Sequence, residues 1–291
     1  LENALRKRLE ILKSRARAIR RLYLERRGLG LAEEPGEPLA LAEAAPGEEL
    51  AALPSALYLI RTDASSVMAG TPSLAGPFLE WSATPAWRRL RFGPGAAPVP
   101  TDSLGGAGGE QFLFFDIETT GLTPSAYVFL CGMMYLRGGN FVIEQAFARD
   151  YSEELAMLLY VRGVIGRFPV MVTYNGVSFD VPFVRTRLAV GRIGLDGPRE
   201  HVDLLFPARQ RFRSVLPNCR LETIERHLRG VEREGDIPGS EIPEAYHEFV
   251  RTGDARKIKR ILHHNRMDLL AMAALFNHLA SDRRLASGRE F

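Results

Sequence analysis

The stretch Phe112-Leu-Phe-Phe-Asp116-Ile-Glu118-Thr-Thr-Gly121 sets two carboxylates two positions apart at the end of an apolar run. In a β-strand, residues i and i+2 point to the same face, so Asp116 and Glu118 share one side of a sheet. The run before them is apolar at both alternating positions, which marks a strand buried on both faces. Two like charges set side by side in such a place are unfavourable unless a cation or a proton compensates them. Holding a divalent metal is the ordinary reason to place them there.

Working outward, the chain after residue 111 alternates strands and helices. Gln111–Ile117 is a first strand. Tyr127–Leu136 and Asn140–Ala148 follow as an antiparallel meander joined at Arg137-Gly138-Gly139. Helices are expected over Glu153–Gly166 and Val181–Val190, and strands over Pro169–Tyr174 and His201–Leu205. Leu221–Leu228, Glu244–Thr252 and Ala255 to about 280 are expected as further helices. This is an α/β pattern, a mixed sheet with helices on its faces.

Two more carboxylates stand out against this layout. Asp180 lies in VTYNGVSFDVPFV, across the Asn175-Gly176 turn and beside a helix start, where a carboxylate is favourable. Asp268 lies in HHNRMDLLAM on a largely apolar helix. Four carboxylates about one spot bind two Mg²⁺ or Mn²⁺ ions, and such a pair clamps the attacking and leaving oxygens of a phosphodiester. A histidine can take the proton from the water. His264, four residues before Asp268, shares its helix face, and His263 is one position round. Taken alone, Asp180 is more often a turn or cap residue, and Asp268 a surface residue. His201 and Asp203 are expected as a structural hydrogen-bonding pair.

The rest of the chain says less. Residues 1–30 carry ten Lys or Arg against three Glu and form a basic amphipathic helix pattern. That helix suits a polyanion or a protein partner. Residues 31–50 are expected as a flexible linker, 51–110 as a small irregular β-region with strands at Ala56–Arg61, Phe78–Trp81 and Arg89–Phe92, and 281–291 as a tail. The composition, 46% hydrophobic and 25% charged with a formal net charge of +3, is that of an ordinary globular protein. No run is long enough to span a membrane, and no apolar leader is evident. Cys131 and Cys219 form neither a metal-spaced cluster nor a disulfide framework, which suits a reducing cytoplasm.

In order along the chain, FDIETTGL, YNGVSFDVPFV and the final segment with His263, His264 and Asp268 resemble the three motifs of the DEDD exonucleases. HVDLLFPARQRF, LPNCRLETIERHL and DIPGSEIPEAYHEFV are similar to one bacterial branch, the YprB-like predicted exonucleases. The resemblance covers about residues 55–280. It implies a ribonuclease H-like fold over 111–280 and a metal-dependent nuclease that works from the 3′ end of a single strand and releases 5′-nucleotides. It also implies Asp116, Glu118, Asp180 and Asp268 as ligands of two Mg²⁺ or Mn²⁺ ions. The superfamily places its base either five or four residues before the last Asp, and this chain has a histidine at both; His264 is the one expected. Asn265 is expected to support the helix start. Thr119 and Thr120 are implied near the terminal nucleotide, with Asn175 holding the turn or reaching substrate. Arg211, with Arg185, Arg187, Arg209 and Arg213, is a candidate for phosphate contacts. Phe179 and Phe212 are candidates for base stacking, with a core role favoured for Phe179. A structure-specific endonuclease and a nucleic-acid-binding protein with a vestigial site are the alternatives.

Overall fold

The meander and the two later strands form one sheet in the computed structural model, which describes residues 37–52, 54–67, 73–84, 87, 90, 108–123, 125–198, 200–230 and 232–281. In chain order the elements are α1 (Leu41–Ala44), β1 (Glu48–Ala52), β2 (Ser55–Asp63), α2 (Ala64–Val67), α3 (Ala75–Ser82) and β3 (Phe112–Thr119). Then come β4 (Val128–Arg137), β5 (Asn140–Phe147), α4 (Glu154–Ile165), β6 (Val170–Thr173), α5 (Asp180–Val190) and β7 (Glu200–Asp203). The last four are α6 (Leu205–Phe212), α7 (Leu221–Arg229), α8 (Ile242–Thr252) and α9 (Arg256–Ser281). The seven strands lie in the order β1-β2-β5-β4-β3-β6-β7. The β3–β4–β5 meander is antiparallel, and β6 and β7 continue it in parallel from β3. This is a ribonuclease H-like mixed sheet.

Strict alternation along β3 splits the core in two. Phe112 and Phe114 face α9, where they meet Phe276 at ring distances of 5.9 and 6.2 Å. Leu113, Phe115 and Ile117 face the opposite layer, α4 and α5. Each fully buried Phe contributes roughly 2–3 kcal/mol by leaving water, so the register of β3 is strongly specified. That register carries Asp116 and Glu118 onto the α9 face, past the end of the aromatic core. No helix among the described residues is long and apolar enough to cross a membrane.

Three expectations for the N-terminal part are corrected. The sheet begins at Glu48, not at residue 111, because β2 pairs antiparallel with β5 and β1 pairs with β2. Two of the acidic residues in the expected linker lie on β1 and pair with arginines: Glu48 with Arg61 of β2, and Glu49 with Arg149, just after β5, at 2.5 Å. Phe78–Trp81 is helical, not a strand. Ala75, Phe78 and Ser82 recur at helical spacing on the buried side of α3, and the Phe78 ring meets those of Phe112, Phe114, Phe141 and Phe276. Toward the C-terminus, HVDLLF gives a strand only as far as Asp203, and α6 follows it. The expected basic helix over 1–30, all but Leu90 of the strand expected at Arg89–Phe92, and nearly all of the 281–291 tail lie outside the described residues.

Candidate functional site

Asp116 sits on a rung that runs across three strands, pairing with Gly132 of β4, which pairs with Gln145 of β5. Asn265 of α9 drops onto this rung. Its Nδ2 donates to Asp116 Oδ2 at 2.8 Å, and its Oδ1 accepts from Gln145 Nε2 at 2.8 Å. Gln145 Nε2 also donates to the Leu262 carbonyl at 2.8 Å, which locks the helix to the sheet. Asn265 does not support a helix start. It lies in the interior of α9, fully buried, and positions a carboxylate.

Gly132 makes that approach possible. A Cβ there would lie 2.2 Å from Asn265 Oδ1 and 2.6 Å from its Nδ2. Since Asn265 is held at both ends, it has no room to yield. Gly132→Ala is therefore expected to destabilise the protein by about 2 kcal/mol or more through overpacking. Urea unfolding measures this, and an unchanged midpoint would contradict the packing described.

Asp180 reaches the same spot from the other side. Beyond the last β3–β6 pair, Phe114 with Val172, the two strands part. The Ile117 amide then donates to Asp180 Oδ1 at 3.0 Å. The intervening turn is tightly built. Asn175 takes a left-handed φ of 69°, and a Cβ on Gly176 would lie 2.5 Å from the Thr173 side chain. Asp203 anchors the turn by accepting from the amides of Asn175 (2.8 Å), Val177 (3.1 Å) and Leu205 (3.0 Å). His201 instead bonds Thr173 Oγ1 at 2.8 Å. Both residues are structural, but each bonds to the β6 end and its turn, not to the other.

The third side is the face of α9 together with the loop before α8. His264 Nε2 lies 3.6 Å from Asp268 Oδ2, one helical turn away, and its Nδ1 lies 2.8 Å from Asp236 Oδ1. Asp268 Oδ1 is paired with Arg233 at 2.7 Å, and the buried Arg233 also pairs with Glu225 at 2.6 Å. Sequence reasoning does not find Asp236 or Arg233. They sit in an irregular loop, where no spacing rule points toward α9. His263 forms no hydrogen bond to any of the four carboxylates, and burial, aided by Arg266, lowers its pKa.

The electrostatics follow from this crowding. Burial, followed by Asp268, Asp180 and Glu118, holds the Asp116 carboxyl well above its ordinary range. Burial with Asp268 and Asp180 does the same to Glu118. Burial pushes Asp180 up to about 7 despite the amides it accepts from. For His264 burial opposes the charged ring, but the Asp236 hydrogen bond and the nearby carboxylates outweigh it, and the pKa rises.

These shifts set a sign. Unfolded carboxylates ionise near pH 4, whereas the folded ones hold their protons longer, so folded-state stability falls as pH rises between these values. His264, raised in the fold, acts in the same direction, while His201 and His263, lowered by burial, act the other way up to the unfolded histidine value and are outnumbered by the three carboxylates with His264. Asp236, lowered in the fold, has its contribution in place above the unfolded value near pH 4 and does not reverse the trend. In EDTA, the melting temperature is expected to be lower at pH 8 than at pH 5. Calorimetry at the two pH values checks this, and a higher value at pH 8 would refute it.

The remaining candidates are spread around this centre. Thr119 Oγ1 donates to the Gly121 carbonyl at 2.7 Å, and Thr120 Oγ1 accepts from the Tyr127 amide at 2.9 Å, closing the loop after β3. A cavity of about 440 Å³ opens beside Glu118 and Thr119, bounded also by Leu122, Phe179, Ser240 and Pro243. Phe179 packs against the core, its ring 5.2 Å from that of Phe183, and its remaining face lines this cavity. One aromatic assignment is corrected: Phe212 is 1% exposed and belongs to the core, which leaves it no stacking role. Arg187 pairs with Glu154 at 2.5 Å. Arg211, on α6, lies over the Phe212 ring at 5.4 Å.

Among the described residues, no three acidic, histidine or cysteine side chains come together as a formed ion-binding group. Asp116 Oδ2 is taken by Asn265 and Asp268 Oδ1 by Arg233. The donor chemistry still fits Mg²⁺ or Mn²⁺, since all four candidates are hard carboxylates. Burial first, and neighbouring carboxylates after it, raise the pKa values of Asp116, Glu118 and Asp180, a penalty that a bound cation would relieve.

Three comparisons bear on this arrangement. A family model described as the RNase H superfamily matches residues 113–280. The uncharacterized protein YprB of Bacillus subtilis (strain 168) is 32% identical over 184 residues, which cover 62% of this chain and 44% of that protein's length. Among solved structures, the family B DNA polymerase of the hyperthermophilic archaeon Pyrobaculum calidifontis is similar with a TM-score of 0.45 and 17% identity, over 56% of this chain and 24% of the polymerase chain. The family match runs from β3 to the end of α9 and encloses Asp116, Glu118, Asp180 and Asp268, and the chain belongs to the RNase H superfamily.

Proposed function

We propose that the protein is a metal-dependent nuclease that hydrolyses single-stranded nucleic acid from its 3′ end and releases 5′-nucleotides. The observation that carries this reading is the gathering of buried Asp180, held on the Ile117 amide, with half-buried Asp116 and Glu118 at the end of β3, where burial and the field of Asp268 raise their pKa values. A protein gains nothing in stability from such a cluster, so the cluster speaks for a function. Asp116, Glu118, Asp180 and Asp268 would hold two Mg²⁺ or Mn²⁺ ions, with Asp268 exchanging Arg233 for metal. Bound there, such a pair supplies positive charge to the attacking and leaving oxygens of a phosphodiester.

The protein's own residues do the rest. Asp236 accepts the Nδ1 proton of His264, which leaves Nε2 facing the carboxylates as the acceptor of a proton from water. As the water oxygen bonds to phosphorus, the bond from phosphorus to the 3′ oxygen breaks. The 3′ oxygen stays with the shortened strand and takes a proton from solvent. The cavity beside Glu118 and Thr119 is where a terminal nucleotide would sit, with Thr119 and Gly121 along its edge and the Thr120 backbone between them. Asn175 holds the turn through its backbone, and its exposed side chain is on hand for substrate.

The test is a time course on 5′-labelled RNA and DNA strands with Mn²⁺. Products shortened one nucleotide at a time from the 3′ end are expected. Discrete internal cuts would replace this reading with an endonuclease, and intact strands of both kinds would refute a nuclease.

A further inference from the structure

Arg209, Arg213 and Arg220 line an open cleft of about 500 Å³, completed by the segment Leu216–Cys219. Arg209 and Arg213 stand one turn apart at the end of α6, and Arg220 directly precedes α7. All three are exposed, and among the described residues none has a carboxylate within ion-pairing distance. Nearby arginines are treated differently: Arg226, Arg229 and Arg233 are each matched to a glutamate. Three unmatched cations around one cleft repel one another, and an anion removes that penalty.

The cleft is tied to the carboxylate site by Tyr174. Its hydroxyl donates to the Cys219 carbonyl, which joins the cleft wall to the turn leading to Asp180. Burial holds that hydroxyl above its ordinary range, and the charges acting on it include both Arg209 and Asp268. Asn218 Oδ1 accepts from the Arg220 amide at 3.0 Å and from Thr223 Oγ1 at 2.8 Å, so the corner carrying Arg220 is fixed.

We propose that this cleft is a phosphodiester-binding track that holds the strand upstream of the nucleotide presented to the carboxylates. Its direction rests on the hydrolytic reading above; its binding does not require catalysis. Arg209, Arg213 and Arg220 each contact a backbone phosphate, positioning the strand without reading its sequence.

The experiment is a fluorescence-anisotropy titration of a short labelled single strand in EDTA, between about 50 and 200 mM KCl. The triple variant Arg209→Ala/Arg213→Ala/Arg220→Ala is compared with wild type. Arg137→Ala/Arg192→Ala/Arg251→Ala removes the same charge from exposed positions elsewhere. Without its three phosphate-binding arginines, the cleft variant should show a slope of log K against log salt that is shallower by about 2, and binding at the low-salt end weaker by at least tenfold or so. The control should bind within about twofold of wild type. Equal slopes for wild type and the cleft variant, or an equal loss in the control, would overturn the track. A reduced slope in the cleft variant, with no hydrolysis of any strand by wild type, would sustain the track and sink the nuclease reading instead.

Discussion

Asp116→Asn is expected to lower metal-dependent hydrolysis by about 10³-fold or more while making the metal-free protein more stable. The substitution is nearly isosteric, and an amide oxygen at that position can still accept from Asn265 Nδ2, as Asp116 does at 2.8 Å. What is lost is one negative charge beside Glu118, Asp180 and Asp268. Its removal takes a ligand from the metals and relieves repulsion in the fold at once. The two effects have opposite signs, which separates a ligand from a residue that merely supports the sheet. Hydrolysis with Mn²⁺ and thermal melting in EDTA at pH 8 measure them. Retention of more than about a tenth of wild-type turnover, or a lower melting temperature, would count against the assignment.

His264→Ala carries the second-largest effect, a fall in turnover of about 10²–10⁴-fold, the usual range for a positioned base. His263→Ala should change turnover only a few-fold. The two residues are neighbours in sequence, yet only His264 has a carboxylate on each ring nitrogen's side, Asp236 at 2.8 Å and Asp268 at 3.6 Å. Asp236→Asn should cost about 10²-fold with little change in KM, because an amide at that position can hold the wrong ring tautomer. Steady-state kinetics of the three variants decide this. Comparable losses from His263→Ala and His264→Ala would remove the distinction, and wild-type turnover in Asp236→Asn would remove the dyad.

The meander, the two parallel strands and most later helices are legible in the sequence because each is short-range in origin. Phe112–Phe115 is apolar on both faces, the Gly138-Gly139 turn is a local signal, and Asp180 follows a turn that its own sequence marks. The N-terminal strands are not legible as part of this sheet. Glu48 and Glu49 are solvated acids in sequence, and their partners Arg61 and Arg149 are supplied only when β1 joins the sheet. The run that forms α3 reads as a strand because a short apolar stretch has no reliable period. Packing of Phe78 among four other aromatic rings decides in favour of the helix.

The residues that shape the site divide in the same way. Asp116, Glu118, Asp180, His264 and Asp268 stand out by type and spacing. Sequence by itself determined the succession of strands and helices after residue 111 apart from α6, the shared face of Asp116 and Glu118, and the helical turn that sets His264 over Asp268. The last two follow from a period of two or of 3.6 residues within one element. Only the tertiary structure placed Asn265 on Gly132, Asp236 on His264 and Arg233 on Asp268. These contacts join separate elements, and no periodicity relates their partners. They are set by which faces of the sheet and of α9 meet, and a glycine in the middle of a strand takes on its meaning only when the helix above it is in place.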